Sequence, residues 1–429
     1  MACEGVSLFE NVTKDAGAGQ RRHFTYYNEL ATTDLSWIAR SDIRYRSSLR
    51  KIPHTFGWEE SSEFFANLQI VRQSTSLRRL QSCFHHIGLY DPDLAESMEE
   101  TFDALPVNGK LRFMTAPETF EAITRLRKEP SPTVISLATF LNGESAAHGL
   151  GPAKSGYQTA LGDAYYSDCP KESPMASFAE SQSEDIQLFR APCLAGDVLP
   201  IDFFSPNVQH AKETSGPKEV VVSERYGTYS AEEIALVVSK LRDAYKRVEK
   251  VSATAAQLIR EFAKVLIPLK IPNGSGSTSQ PRFPGRVLLS GVENASPAKI
   301  ASALVHESMH QLLYVLELVG EFVVPSTEHE EKPLVKSLWS GRDLSLHSFI
   351  HACFIWYGLV RFWTLPRASE VFEESDLQIE LEKSSSGFKD RNPIEALGPF
   401  VGHLRHDVVA TAGTLRGYLD PLVRAANAN

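Results

Sequence analysis

The segment that most restricts the fold is SPAKIASALVHESMHQLLYVLELVG, which runs from Ser296 to Gly320. A serine suited to N-capping, a proline at the first helical position and a terminal glycine predict one long apolar helix. Inside it, His306, Glu307 and His310 form an HExxH motif. The two histidines are four residues apart, so both imidazoles can reach one metal ion, while Glu307 can polarise a water or orient a ligand. The pattern predicts a metal site on a buried helix.

Two imidazoles leave a metal ion under-coordinated, so a third ligand is expected further along the chain. Leu313 and Leu316 stand where the metzincin family has a glycine and a histidine, which excludes that family. A gluzincin would use a glutamate from a second helix. Near candidates are Glu328, Glu330 and Glu331, but they lie with His329 in a polar segment that is predicted to be a solvated loop.

A better source of the third ligand is a second apolar helix within residues 339–363, which is predicted to begin near Ser345. It carries His347 and His351 four residues apart, on one helix face. His351 lies between Ile350 and Phe354 and is the predicted third ligand. His347 is predicted to be a core residue or to support a ligand.

Composition limits the chemistry of such a site. The 429 residues include 13 histidines and 5 cysteines, and no two cysteines have CxxC spacing. A thiolate zinc site and a disulfide framework are therefore unsupported, which leaves imidazole and carboxylate ligands. A net charge of −9 without a basic run argues against nucleic-acid and anionic-membrane partners. Neither a signal-peptide pattern nor an uncharged apolar run of about 18 residues is visible, so we expect a reducing, cytoplasmic setting.

The chain divides by composition into three parts. Residues 1–150 are predicted to be mostly helical, residues 151–185 to be a Gly-, Ser- and Pro-rich connection, and residues 186–429 to be the metal-binding domain. The expected fold class is α+β and mainly helical, with the two histidine-bearing helices beside a small β-sheet. Further predicted helices are Ser61–Leu80, Pro92–Leu105, Met114–Arg127 with Thr115 as N-cap, and Ala231–Leu266 with a break near Ser252. Predicted strands are Leu199–Phe204, Glu219–Ser223 and Arg286–Ser290.

The motif context resembles a known family. ALVHESMHQLL followed by WSGR…LHSFIHACFIWYGLVRFW is similar to the HExxH-type peptide-modification proteins, which are associated with ribosomally made, post-translationally modified peptides. As in that family, a histidine, here His351, stands eleven residues before a Phe-Trp pair, here Phe362 and Trp363. MTAPETF near residues 114–120 and PGRVLLS before the motif helix also look similar. The resemblance extends over roughly residues 111–429, and its specific motifs lie within residues 286–363.

The resemblance implies an Fe(II)- and 2-oxoglutarate-dependent oxygenase that hydroxylates the side-chain β-carbon of a peptide. The implied metal ligands are His306, His310 and His351, with Glu307 as the catalytic residue, whose role as ligand, supporting group or base stays open. Three histidines differ from the commoner iron triad of two histidines and one carboxylate, and they also suit zinc. The type of ligand therefore does not decide between iron and zinc.

An enzyme of this kind also needs residues that bind 2-oxoglutarate and the peptide substrate. The distal carboxylate of 2-oxoglutarate needs a cation, for which Arg342 is the first candidate and Arg361 the second. The expected partner is a precursor peptide, and the strand Arg286–Ser290 is predicted to receive it by strand addition. The Asn273–Gln280 segment is predicted to be a flexible loop that can cover the site.

Two other functions compete with the oxygenase. One is a zinc metallopeptidase in which Glu307 acts as general base. The other is a peptide-binding scaffold with a structural metal, although such a site normally has a fourth protein ligand. The remaining histidine pairs, His85 with His86 and His403 with His406, are predicted to be structural. The sequence leaves open the oligomeric state and the role of residues 1–150, for which recognition of a peptide leader is one hypothesis.

Overall fold

The computed structural model describes residues 49–168, 179–181, 186–196, 198–214, 226–324, 333–389 and 392–426. The first of these ranges is largely helical, with α1 (Ser62–Gly88), α2 (Pro92–Ala104), α3 (Val107–Thr115), α4 (Pro117–Arg125) and α5 (Pro130–Ala147). The predicted helices over Ser61–Leu80 and Pro92–Leu105 are thus confirmed as α1 and α2.

The predicted helix Met114–Arg127 is wrong in its first residues, because a break at Ala116 separates α3 from α4. Ala116 is extended (φ −66°, ψ 141°), as expected for a residue that precedes a proline, here Pro117. Thr115 therefore ends α3 and does not cap α4.

The predicted connection over residues 151–185 contains strands. β1 (Ala164–Ser167) and β2 (Ala179–Ser181) both pair antiparallel with β3 (Gln187–Arg190). The strand predicted over Leu199–Phe204 is wrong, because Pro200 and Ile201 make only isolated bridges there. The strand predicted over Glu219–Ser223 lies outside the described residues. The division of the chain into three parts stays a prediction.

The long helix predicted over Ala231–Leu266 is interrupted where expected. After α6 (Pro206–Thr214), α7 (Ala231–Val251) begins with a capping box, and Ser252 then caps α8 (Ala253–Phe262) by accepting a hydrogen bond from the Ala255 N–H. The helical prediction is wrong at its end, because α8 stops at Phe262 and Leu266 belongs to a strand.

That strand belongs to the sheet beside the helix that carries the HExxH motif. It consists of β4 (Val265–Leu269), β5 (Gly276–Thr278) and β6 (Arg286–Ser290), in the order β4-β6-β5. β6 has the predicted bounds, but it is the central strand, parallel to β4 and antiparallel to β5. The prediction that β6 adds a substrate strand is therefore wrong, because both of its edges are paired. Of the two outer strands, β4 is bridged by Ile201 at Leu266, so within the described residues the open edge belongs to β5, in the segment predicted to be a flexible loop.

The two predicted histidine-bearing helices are confirmed as α9 (Pro297–Glu317) and α10 (Leu346–Trp363). Ser296 caps α9 and Ser345 caps α10, each by accepting a backbone N–H with its side chain. The hairpin of β7 (Leu334–Lys336) and β8 (Asp343–Ser345) leads into α10. α9 packs against α1, α7, α8 and α10, at the centre of the largest apolar cluster.

The chain closes around these two helices with α11 (Ala368–Val371), α12 (Glu374–Ser385) and α13 (His406–Ala426). Shorter 3-10 segments cover Val292–Asn294, Ser386–Phe388 and Pro393–His403. α12 packs against both α9 and α10, and α13 packs against α10. The fold is mainly helical α+β, as predicted. In the part of the chain that the structure describes, no helix is long and apolar enough to span a membrane.

Candidate metal centre

The α9 and α10 helices bring together five side chains with metal-binding atoms. His306, His310 and Glu317 lie on one face of α9, because spacings of four and eleven residues correspond to about one and three helical turns. His347 and His351 lie one turn apart on the facing side of α10. The helices pack against each other, so the five groups form a row between them.

Within this row, Glu317 makes short side-chain contacts from α9 to both histidines of α10. Its Oε2 lies 2.8 Å from His347 Nε2 and 3.1 Å from His351 Nε2. Ligand atoms of these three residues all lie within 4.8 Å of one another. Two imidazoles and a carboxylate are the donor set that non-haem iron prefers, so the residues fit an Fe(II) ion.

The predicted ligands His306, His310 and His351 are brought together in part. Nδ1 of His310 lies 3.1 Å from Nδ1 of His351. Two ligand atoms that are each about 2.1 Å from one ion are about 3.0 Å apart at a right angle and about 3.4 Å apart at the tetrahedral angle. This pair therefore fits a shared metal as well. His306 lies farther along the row, with its ring centroid 5.0 Å from that of His310.

The protonation states in this row suit metal binding. Burial, together with a smaller effect from the charge of Lys383, lowers the pKa of His306 to about 3. Burial also holds the pKa of His310 and of His351 below the usual value. Burial alone would raise the pKa of Glu317, but hydrogen bonds from His347 and His351 outweigh it and bring the pKa to about 2. Neutral imidazoles and an ionised carboxylate are the forms that bind a cation.

The predicted catalytic residue Glu307 faces the sheet. Its side chain is buried, and its Oε1 lies 3.9 Å from His306 Nε2. Burial raises the pKa of Glu307 to about 7, against the opposing effect of the Ser277 and Ser279 hydroxyls beside it. Among the described residues, its Oε2 has no partner within hydrogen-bonding distance. A buried carboxylate oxygen without a partner is costly, which suggests a role in function.

Two clefts open onto the row of histidines. The histidine cleft has a volume of about 380 Å³, and its lining includes His306, His310, Tyr314, Trp339, Ser340, Leu344, His347, His351, Trp356 and Lys383. The strand groove has a volume of about 270 Å³, and its lining includes Ser275, Gly276, Ser277, Leu289, Val292, Lys299, Ile300, Ala303, His306, Trp356 and Lys383. The clefts share His306, Trp356 and Lys383, so they meet beside the row.

Aromatic rings form the walls of the histidine cleft. Tyr314 stacks on His310 and on His347, with ring centroids 5.9 Å and 6.2 Å away. Trp339 stacks on Trp356 at 6.0 Å. The indole N–H of Trp339 donates to the Ser384 carbonyl at 2.9 Å, which fixes this ring to α12. The rings restrict rotation of the histidine side chains and shield part of the row from solvent.

The two arginines that were predicted to bind the cofactor lie at different distances from the histidine cleft. Arg342 is exposed and directly precedes β8. It lies between Ser340 and Leu344, which both line the histidine cleft, but it is not itself part of that lining. Arg361 lies ten residues after His351 on α10, about 15 Å along the helix axis. Its guanidinium is near Gly57, away from the row. Arg342 thus lies at the rim of the histidine cleft, whereas Arg361 does not approach it.

Sequence reasoning missed two residues of this site, Glu317 and Lys383. Glu317 follows His310 by seven residues, two helical turns, and that spacing was the available signal. Lys383 on α12 comes from a distant part of the sequence, and no local pattern marks it. The structure puts His85, His86 and His403 on other elements, outside the lining of both clefts. Glu328, His329, Glu330 and Glu331 lie outside the described residues.

Comparison with known proteins assigns no family to the chain. No family model matches it, and no curated protein matches it. The resemblance to peptide-modification proteins therefore rests on the sequence motifs alone.

Proposed function

We propose that this protein is an Fe(II)- and 2-oxoglutarate-dependent oxygenase that hydroxylates a side-chain β-carbon of a ribosomally made peptide in the cytoplasm. The observation that carries the proposal is the position of Glu317 between His347 and His351, with their ligand atoms within 4.8 Å of one another. This set supplies two imidazoles and one carboxylate on one side of an open cleft, the arrangement that leaves positions for a co-substrate and O₂.

Iron bound at this set would supply the activation of O₂, with 2-oxoglutarate as the source of two electrons. The chain's own residues hold the set in place. His310 faces the remaining ring nitrogen of His351 at 3.1 Å and orients that imidazole. Tyr314 packs against His310 and His347 and excludes water from their faces. Arg342 at the rim is the candidate for the distal carboxylate of 2-oxoglutarate.

The peptide part of the proposal is supported by the free edge of β5. The strand groove runs beside Gly276 and Ser277 of this strand and reaches His306, where it meets the histidine cleft. A segment that pairs with the β5 edge would be extended and would present alternate side chains to the groove. Its reacting residue would then lie next to the metal-binding row.

The test combines metal analysis with turnover. Protein purified anaerobically without added metal is expected to contain iron. In air with 2-oxoglutarate it should form succinate slowly even without a peptide, because such enzymes turn over uncoupled. Glu317→Gln is the control, which should lose both iron and succinate formation. Zinc as the bound metal, with no succinate above the level of that variant, would contradict the oxygenase.

A zinc metallopeptidase is the second candidate, and the position of Glu307 favours it. This carboxylate lies beside His306 with one buried oxygen free of partners. With a metal held by His306, His310 and His351, Glu307 would take a proton from an attacking water. Glu307→Gln separates the two functions. It should abolish peptide cleavage if the protein is a peptidase, and leave uncoupled succinate formation within a few-fold of wild type if it is an oxygenase.

A further inference from the structure

The charge of the strand groove is opposite to that of the chain. The chain has a net charge of −9, yet the charged residues that line the groove are the lysines Lys299 and Lys383, since His306 is neutral. Among the described residues that form its lining, there is no aspartate or glutamate. A groove that contains only positive side chains attracts anionic groups.

Lys383 is available to such a group. Its side chain is 52% exposed, and its ammonium lies 3.7 Å from Oε2 of Glu380, with which it forms an ion pair. That oxygen already accepts a hydrogen bond from Ser302 Oγ at 2.7 Å. The Lys383 ammonium lies 5.6 Å from the ring centroid of Trp356, at the junction of the two clefts. The charge therefore points into the space beside the metal-binding row.

Lys299 adds a second positive charge to the groove. It lies in the first turn of α9, where the helix dipole disfavours a cation. The side chain is exposed and lines the groove with the apolar residues Val292, Ile300 and Ala303.

The shape of the groove indicates an extended peptide as the source of the anion. β5 is an edge strand, and its residues Gly276 and Thr278 are exposed. A β-carbon at Gly276 would meet no atom within 4 Å, so the face of β5 at this residue is open. A strand paired there would direct alternate side chains toward the lysines and the apolar floor.

We propose that the strand groove selects a peptide segment with an acidic side chain, which Lys299 and Lys383 bind while the peptide backbone pairs with β5. The inference rests on the proposal that the substrate is a peptide, but not on which metal reaction follows. The acidic residue lies close to the residue that is modified, with small or apolar residues on either side. Lys383 sets the distance between the two.

Binding of synthetic peptides tests this inference without turnover. The probes are three fluorescein-labelled heptapeptides of alanine, valine and threonine that differ only in a central glutamate, glutamine or lysine. Fluorescence anisotropy measures their Kd with Mn(II)-loaded protein, since Mn(II) replaces the iron without redox chemistry. The glutamate peptide should bind about tenfold more tightly than the glutamine peptide, and the lysine peptide should bind weakest. The preference should decrease as salt is raised.

Variants then assign the preference to the two lysines. Lys383→Met is expected to reduce the ratio of glutamine to glutamate Kd several-fold, and Lys299→Glu combined with Lys383→Glu should make the lysine peptide the tightest binder. Lys389→Met is the matched control, because this lysine follows α12 closely and lines neither cleft. It should keep the wild-type order.

Three results would overturn the inference. One is equal binding, or no binding, of all three peptides up to millimolar concentration. The second is a glutamate preference that survives the double charge reversal. The third is competitive displacement of the glutamate peptide by 2-oxoglutarate, combined with loss of 2-oxoglutarate binding in Lys383→Met, since the subsite would then hold the co-substrate. A protein that binds zinc and forms no succinate, but keeps the lysine-dependent glutamate preference, contradicts the oxygenase alone.

Discussion

Oε2 of Glu317 lies 3.1 Å from Nε2 of His351, so a carboxylate at the end of α9 meets an imidazole in the second turn of α10. The other nitrogen of the same ring lies 3.1 Å from His310. His351 therefore connects the HExxH motif to Glu317. If this ring binds a metal, the nitrogen that it uses decides whether Glu317 is a ligand or supports one.

Substitution of Glu317 distinguishes the two arrangements. If Glu317, His347 and His351 hold the metal, Glu317→Gln should lower the metal affinity at least 100-fold, because an amide is a poor substitute for a carboxylate ligand. His306→Ala should then keep nearly full metal content. Metal content after dialysis against a graded chelator measures both.

Glu321→Gln is the matched control for that experiment. Glu321 is an exposed carboxylate four residues after Glu317, outside both clefts, and its substitution should leave the metal content unchanged. The opposite pattern, with metal lost in His306→Ala and a decrease of only 10- to 100-fold in Glu317→Gln, would assign the metal to the HExxH histidines and make Glu317 their supporting carboxylate.

Local sequence signals predicted the two helices of the site, because capping and apolar spacing are determined by residues close together in the sequence. The caps Ser296 and Ser345 define where α9 and α10 begin, and apolar spacing makes both helices recognisable. Long-range packing determines the rest. β5 is built from glycine, serine and threonine and becomes a strand through pairing with β6, which no pattern within residues 276–278 shows.

Glu317 illustrates the same limit on the helix itself. Its spacing from His310 shows that it shares the histidine face. Its proximity to His347 depends on the angle at which α10 packs against α9. That crossing angle cannot be predicted from the local sequence pattern. Lys383 reaches the clefts because α12 packs on both helices, a contact between segments far apart in sequence.

The two candidate arginines make a direct comparison for co-substrate binding. Arg342→Met should raise the Kd of 2-oxoglutarate for Mn(II)-loaded protein about tenfold or more, because a charge-assisted hydrogen bond to the distal carboxylate is lost. Arg361→Met should leave that Kd unchanged, since Arg361 is about 15 Å along α10 from His351. Pyruvate, which lacks the distal carboxylate, should bind both variants like wild type in calorimetric titrations. Equal effects of the two substitutions would remove Arg342 from the site.

Glu307 should make the stability of the metal-free protein depend on pH. Burial raises the pKa of Glu307 to about 7 in the folded state, from about 4.5 in the unfolded state. A raised pKa means that the folded state binds the proton more tightly, so this contribution is complete below pH 4.5 and is lost as the pH rises through 7. The free energy of unfolding of wild type should therefore fall relative to that of Glu307→Gln by up to about 3 kcal/mol between pH 5 and pH 8.5.

Urea unfolding of chelator-treated protein at the two pH values measures this difference. Comparison with wild type at each pH cancels the titration of all other groups. If the difference in free energy of unfolding between Glu307→Gln and wild type is the same at pH 5 and at pH 8.5, Glu307 does not change its protonation between these two pH values.

The close approach of α9 and α10 depends on Gly358. A β-carbon at this position would collide with Sδ of Met309, which is fully buried beside His310, and would also press on Phe56. Gly358→Ala should therefore destabilise the protein by about 1–3 kcal/mol, although alanine favours a helix over glycine. Gly417→Ala in α13 is the matched control, because no atom lies within 4 Å of its β-carbon position, and it should be neutral or stabilising. Because the clash lies beside His310, Gly358→Ala should also weaken metal binding, as measured with the same chelator series. A variant as stable as wild type and with unchanged metal affinity would show that the two helices tolerate a wider separation.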